Sequence, residues 1–568
     1  MIQYRYKADQ QKRRGKVTPG EHVGDQLYRG RENSITASLP AGHQEQERPQ
    51  SSTPAAWCRT GSEESFGEPA WHAGAAATSP YTQSSRYRRA LSSGPPSGAS
   101  QTVSDYEESD DHETRVTRLL TAGFARLSLV GDSTDPFCAL PQFKSPELDF
   151  VALFRKCVRT FTTPSTVEKW LPPMLSHPHV LLSATILTST YMDMHAGCSG
   201  DSKRTALVKG ETISWINERL ARTGSPYEDF TVMVILHLLA GEMWSCNEKT
   251  LRIHEGGLAR LITQRGGMQC IGVDGILAEV AASCCYHCDI FCEATPLPLF
   301  YYWEPPNGVP VHETAAIPES PIFCPRSEFF TILGDPKCCE ITYNLLCDMR
   351  DLTNAFLAAY EGYDTVQGLE VGENFPQSGT PLQQYELRGS EIRARLASLP
   401  SAYTPGLTVT NDWVYEACRL AAIIYTSAIT MRVPFSVAAQ HGHSAILSSG
   451  SSPASPQLGD HPDSSDLIAA LYEALRRTNT DEIWGPMSGV LYWAAMVGAA
   501  AARTPSTLKL SQTSWSRSEA YAIWVRRCLI MIATRAMIIL VFQHPLPVVC
   551  AQKRMLRVQQ LIGSGGAK

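Results

Sequence analysis

The rhythm of hydrophobic and polar positions changes near residue 115. Before it, residues 1 to about 110 are rich in Ser, Gly, Pro, Gln and Arg and hold few aliphatic side chains. Such a segment cannot bury enough apolar surface to offset the entropy of ordering, so 1–114 is expected to be disordered. Leu119-Leu120 and Phe124-Ala-Arg-Leu127 then begin a three- and four-residue spacing, which from about 146 runs to the end. That spacing predicts helices over 147–160, 178–196, 203–223, 228–246, 251–265, 274–293, 336–360, 383–398, 412–431, 464–478, 486–502, 516–543 and 548–562. Strand-like alternation is sustained nowhere. The fold class expected is all-α, a multi-helical domain over 115–568 behind a disordered N-terminal segment. Three stretches interrupt the helices: Pro-rich Glu304–Pro325, Gly-rich Glu361–Pro381 and Ser/Gly/Pro-rich Gln440–Ser465, the last with a composition that predicts flexibility. No fixed-period repeat occurs, so a repeat solenoid is unsupported.

One stretch organises the helical part: His254-Glu-Gly-Gly-Leu258-Ala-Arg-Leu261-Ile262-Thr-Gln-Arg265-Gly266-Gly267. Leu258, Leu261 and Ile262 stand at helical spacing and make one apolar face. Arg265 falls in the last turn, where a cation offsets the negative helix end, and Gly266-Gly267 supply the left-handed backbone that stops a helix. A further helix is expected to start at Asp274 as N-cap, with Ile276, Leu277, Val280, Cys284, Cys288 and Phe291 along its inner stripe. Upstream, Phe230 to Trp244 is apolar almost all round, which reads as a helix buried on every side.

The run His254-x-x-Gly257-Leu258-x-x-Leu261-Ile262-x-x-Arg265-Gly266-Gly267, followed by Asp289 and by Glu293-Ala-Thr-Pro296, resembles the fungal-specific transcription factor domain. That is the helical regulatory region that usually follows a zinc binuclear-cluster DNA-binding module. The resemblance extends upstream to Trp170-Leu-Pro-Pro-Met-Leu-Ser-His-Pro178, Leu181-Leu-Ser-Ala-Thr-Ile-Leu and Ala206 to Leu220, and downstream to Trp493 and the C-terminal helices. It covers roughly 146 to 565, and its specific part is His254 to Gly267.

The family's DNA-reading module needs six thiolates in two Cys-x2-Cys-led runs sharing two zinc ions. The first 150 residues hold only Cys58 and Cys138, which cannot build it. This departure counts against direct, sequence-specific DNA binding, because the base-reading helix has no scaffold. A net charge of -6 likewise makes the chain as a whole no magnet for nucleic acid. Positive charge is concentrated only in a head of Arg5, Lys7, Lys12, Arg13, Arg14 and Lys16. Lys12, Arg13, Arg14 and Lys16 are the candidates for weak, non-specific phosphate contact, or for a nuclear-import signal, against the blander reading of solvated charge. The acidic run Asp105-Tyr-Glu-Glu-Ser-Asp-Asp-His-Glu113 is a boundary before the folded part or a recruiting segment.

Other chemistry falls away on inspection. The 17 cysteines are an odd number scattered through apolar segments, which suits buried thiols in a reducing, intracellular compartment. Cys284-Cys285-Tyr-His287-Cys288-Asp-Ile-Phe-Cys292 tempts as a zinc half-site, yet its four-residue steps place Cys284, Cys288 and Cys292 along one side of a helix, as core packing does. Cys338, Cys339 and Cys347 read the same way. His254-Glu255 opens like His-Glu-x-x-His, but Leu258 stands where the second ligand belongs. There is no nucleophile elbow, phosphate loop or dinucleotide-binding turn. His237, on a wholly apolar helix, is expected to be a hydrogen-bonded core residue. Met487 to Ala502 is too short for a membrane span, and Leu529 to Phe542 is interrupted by Arg535.

The expectation is a nuclear, non-enzymatic transcriptional regulator without catalytic, metal or cofactor residues of its own. His254, Gly257, Leu258, Leu261, Arg265, Gly266 and Gly267 form its structural family motif. The resemblance implies control of transcription, with a metabolic pathway as its object, and protein partners in the transcription machinery or a DNA-binding regulator. It also implies a small-molecule effector, a dimerising body compatible with a homodimer, and no membrane partner. The alternatives are a helical enzyme whose site is assembled from scattered residues, and the regulatory part of an ordinary zinc-cluster activator. The transcript is expected to begin near Met1.

Overall fold

Several helix starts in this chain are marked by residues that take up the free N–H groups of a first turn. Asp149, Asn247, Asp412 and Ser516 each accept such a bond, from Ala152, Thr250, Tyr415 and Glu519. The computed structural model describes residues 118, 141–198, 200–221, 228–272, 275–305, 316–366, 380–440, 467–508 and 516–563. The chain divides into two units, one of Met1 and Gln3–Glu107 and the other of Ile2 and Glu108–Lys568. Every described residue belongs to the second. The expected disorder of 1–114, the acidic run, and Lys12, Arg13, Arg14 and Lys16 lie outside the described residues.

The longer helices are α1 Phe150–Phe161, α2 Pro178–His195, α3 Lys203–Ala221, α4 Asp229–Met243, α5 Glu248–Gln264, α6 Ile276–Cys292 and α7 Glu340–Val366. They continue with α8 Pro381–Ser398, α9 Trp413–Met431, α10 Leu467–Arg477, α11 Ser488–Ala501, α12 Arg517–Gln543 and α13 Pro545–Gly563. Each answers to a stretch of helical spacing in the sequence, so the all-α class holds; among the described residues the only β feature is an isolated bridge between Ser320 and Phe323. The spacing passed over several short helices: Pro164–Lys169, Leu171–Leu175, Pro298–Tyr301, Phe435–Ala438 and Pro505–Leu508. Where a proline opens them it costs nothing, because the first-turn N–H has no helical partner in any case. Asp274, expected as N-cap of α6, lies outside the described residues; Gly275, left-handed at φ 85°, occupies the cap.

Nearly all the buried apolar side chains join one core running from Phe143 to Ile562. Helix α6 is its axis. It packs on α4, α5, α11, α12 and α13, and every residue from Ala281 to Cys292 is buried. Helix α11 is buried along its whole length, which explains the uncharged run Met487 to Ala502 without a membrane. Gly489 is what lets it sit there: a Cβ would lie 2.3 Å from the Pro318 carbonyl oxygen. Among the described residues no helix is long and apolar enough to cross a membrane. Arg535, which breaks the apolar run of α12, donates to the carbonyls of Thr160, Thr480 and Asp481 at 3.2, 2.6 and 2.8 Å. The Pro-rich segment is anchored in its described part, where buried Glu319 accepts from the Phe330 and Thr331 N–H groups at 2.7 and 2.6 Å and from Arg326.

Candidate functional site: the motif hairpin and the adjoining cavity

The stretch His254–Gly267 is the C-terminal part of α5 and its stop. Leu258 and Ile262 are fully buried and Leu261 nearly so, the apolar face that their spacing predicts. The helix ends in a Schellman motif: Gly267 N–H bonds the Ile262 carbonyl and Gly266 N–H the Thr263 carbonyl, each at 3.0 Å. Both glycines have positive φ, 110° and 103°. Arg265 caps the helix with ordinary φ and does more than offset a helix end. Its guanidinium donates to the Cys270 carbonyl at 2.9 Å and pairs with Asp229 at 2.8 Å, tying the turn to the start of α4. Gly257 has no such task, nor has Gly256: a Cβ on either meets nothing within 4 Å.

Behind this hairpin the charges are sunk in the core. Arg252 on α5 holds two buried carboxylates, Glu255 one turn on and Asp289 on α6. Burial drives both carboxyls above their usual range, Asp289 to about 8, with Glu255 adding to the push and Arg252 opposing it. Two acids that share one cation out of water keep one proton between them near neutral pH. A second cluster joins α3 to α4. Buried Lys209 lies 3.0 Å from Asp201 and 2.9 Å from Glu242. Burial would discharge this lysine, but Glu242 and Asp201 hold its proton more tightly than usual. Glu242 in turn stays below its ordinary range because Lys209 outweighs its burial, whereas for Asp201 burial wins. His254 stands near this pair, buried and with its pKa pushed down by burial. A third pair of contacts, Glu248 to Arg503 at 2.8 Å and to Arg526 at 2.9 Å, fastens the start of α5 to the turn after α11 and to α12.

The tempting cysteines sit on the core side of this arrangement. Cys284, Cys285, Cys288 and Cys292 are buried free thiols on a continuous α6, each with its pKa raised chiefly by burial. His287 among them is engaged at both ring nitrogens, with Tyr492 at 3.0 Å and Thr534 at 3.1 Å. Thr534 gives its own proton to the Ile530 carbonyl at 2.7 Å. It therefore accepts from His287 Nε2–H, and Nδ1 accepts from Tyr492, which itself receives Gln552 at 2.7 Å. This closed chain locks a neutral imidazole, and burial lowers its pKa to about 3.

An apolar cavity of about 90 Å³ adjoins α6 at Val280 and Cys284. Its wall is built by α1, α2, α4, α6, α12 and the two short helices after α1, with Trp170, Met174, Leu236 and Phe542 among the larger side chains. Its threonines are already occupied: Thr162 Oγ1 donates to the Val158 carbonyl at 2.6 Å, and Thr166 Oγ1 accepts from Thr163 N–H at 3.2 Å. The expected hydrogen bond of His237 is present, Nδ1 lying 2.9 Å from Ser183 Oγ.

Comparison with models of known families, with curated proteins and with solved structures finds no match.

Sequence reasoning placed the motif but missed what the motif encloses. Asp289 offered a signal, a lone carboxylate in an otherwise apolar helix that has to find a cation. Arg252, a turn before Glu255, was the partner within reach. Lys209 gave no signal, since a lysine in a polar-faced helix looks solvated until the tertiary contact is known. Nor does any local pattern show the cavity, because its wall is collected from residues hundreds of positions apart.

Proposed function

We propose that this chain is a nuclear transcriptional regulator whose helical body controls a metabolic pathway through protein partners and responds to a small molecule. The observation that supports the reading is the coincidence of the transcription-factor-like run with the fold's central junction. The run ends α5, and Asp289 and Glu293, the acids that follow it in the pattern, lie in α6 and at its end. Asp289 meets the run through Arg252, and Glu293 accepts from Ser436 at 2.5 Å, joining α6 to the short helix Phe435–Ala438. In such a body α6 touches α4 and α5 before it in the chain and α11, α12 and α13 after it, which makes it the junction an effector would act on. The cavity beside α6 is where an effector would enter that junction. A binding role fits the chemistry better than catalysis: the buried carboxylates and cations are held in ion pairs, and the cavity wall is apolar. The basic head of Lys12, Arg13, Arg14 and Lys16 supplies nuclear import in this scheme, with only salt-sensitive, sequence-indifferent affinity for DNA.

A fluorescently tagged full chain in a fungal cell is expected in the nucleus, and replacing Lys12, Arg13, Arg14 and Lys16 by Ala is expected to leave it in the cytoplasm. A parent chain excluded from the nucleus under every growth condition would overturn the reading.

A further inference from the structure

We propose that the cavity between α1, α2, α4, α6 and α12 is a binding site for a neutral, mainly apolar small molecule bearing one hydroxyl donor, of the size of a simple phenol. Its regulatory meaning rests on the function proposed above; its chemistry comes from the wall. Ser183 Oγ lies 2.9 Å from both the Val180 carbonyl and His237 Nδ1; we assign its one proton to the carbonyl, which can only accept, so that towards Nδ1 it is an acceptor. The imidazole therefore carries its proton on Nδ1. Burial pulls its pKa down to about 4, so it stays neutral at physiological pH. Nε2 is then a lone-pair acceptor with no protein partner on the cavity wall, beside the Trp170 ring, which meets the imidazole edge-on at 6.4 Å.

The rest of the wall adds selectivity rather than charge. Both threonine hydroxyls are engaged within their own turns, Cys157 donates its thiol to the Ala184 carbonyl at 3.6 Å, and no ionised side chain lines the space. An anion has no cation to meet there, and an ammonium would have to shed its water for a single imidazole. The space of about 90 Å³ suits a ligand on the order of six to eight non-hydrogen atoms. An aromatic ring with one hydroxyl fills the apolar part and satisfies Nε2, and an ether of the same size leaves Nε2 unpaired.

Calorimetric titration of the purified full chain with phenol, anisole, toluene and benzoate tests this. Phenol is expected to bind saturably with a Kd on the order of 0.1–1 mM, about three- to tenfold tighter than anisole or toluene, with benzoate not bound. In His237→Leu the preference for phenol over toluene is expected to vanish while toluene still binds. The comparison of phenol with anisole needs no variant, so it decides the matter even if His237→Leu does not fold. Anisole binding as tightly as phenol, benzoate binding tighter, or no saturable binding of phenol up to roughly 10 mM would each overturn the proposal. These titrations involve no reporter or nucleus, so their failure is separate from failure of the regulatory reading.

Discussion

At the scale of single residues, the decisive feature is how this domain keeps ionisable groups in its core. Arg252, Glu255 and Asp289 form a buried junction in which one guanidinium serves two carboxyls, and burial sets Asp289 near 8. A carboxyl whose folded pKa lies above its unfolded value stabilises the fold while it stays protonated, and that contribution fades as pH rises towards the folded value. The buried histidines have the opposite sign. His237 and His287 have lowered folded pKa values, so their contribution is lost only as pH falls below the unfolded value near 6.5. Between about pH 7.5 and 8.5 the acid pair is therefore visible with the histidines nearly silent. Urea unfolding of the parent chain is expected to show stability falling with pH by up to about 1.4 kcal/mol per unit from this pair. Asp289→Asn is expected to flatten the slope by that amount, whereas the buried thiols contribute equally to both chains. An unchanged slope would mean that the pair holds no proton.

At the scale of elements, the turn after α5 and the glycines before it separate structural need from something else. Gly266→Val puts a branched side chain at φ 110°, where even a Cβ would lie 2.9 Å from Cys270 Sγ. A loss of about 1–2 kcal/mol or more is expected in urea unfolding. Gly257→Ala is expected to act the other way, stabilising the helix by roughly 0.5–1 kcal/mol, because the added methyl meets no atom and glycine is a poor helix former. A destabilised Gly257→Ala chain would show that the outer face of α5 is covered by something the structure does not contain. Much at this scale was legible beforehand. The spacing of Leu258, Leu261 and Ile262 gave the face of α5, and the double glycine gave its end, because helix periodicity and left-handed caps are local properties. The short helix Leu171–Leu175 was not, since Leu-Pro-Pro reads as a breaker unless the prolines fall in a first turn. Arg265 was half legible: its place at a helix end follows from sequence, but its bond to Asp229 depends on where α4 lies.

At the scale of the whole molecule, one core unites α1 to α13 around α6, with charges at its junctions and an apolar cavity beside it. No sequence window shows that cavity, nor the neutral His237 on its wall, because both exist only once α2, α4 and α12 meet. The regulation proposed above would call for partners that reach DNA, so it should survive when DNA contact is supplied artificially. The most direct measurement fuses the full chain to an unrelated sequence-specific DNA-binding module at a reporter promoter in a fungal host. Reporter output is expected to depart several-fold from that of the module alone, in either direction. Output equal to that of the module alone, with the fusion demonstrably present at the promoter, would contradict it.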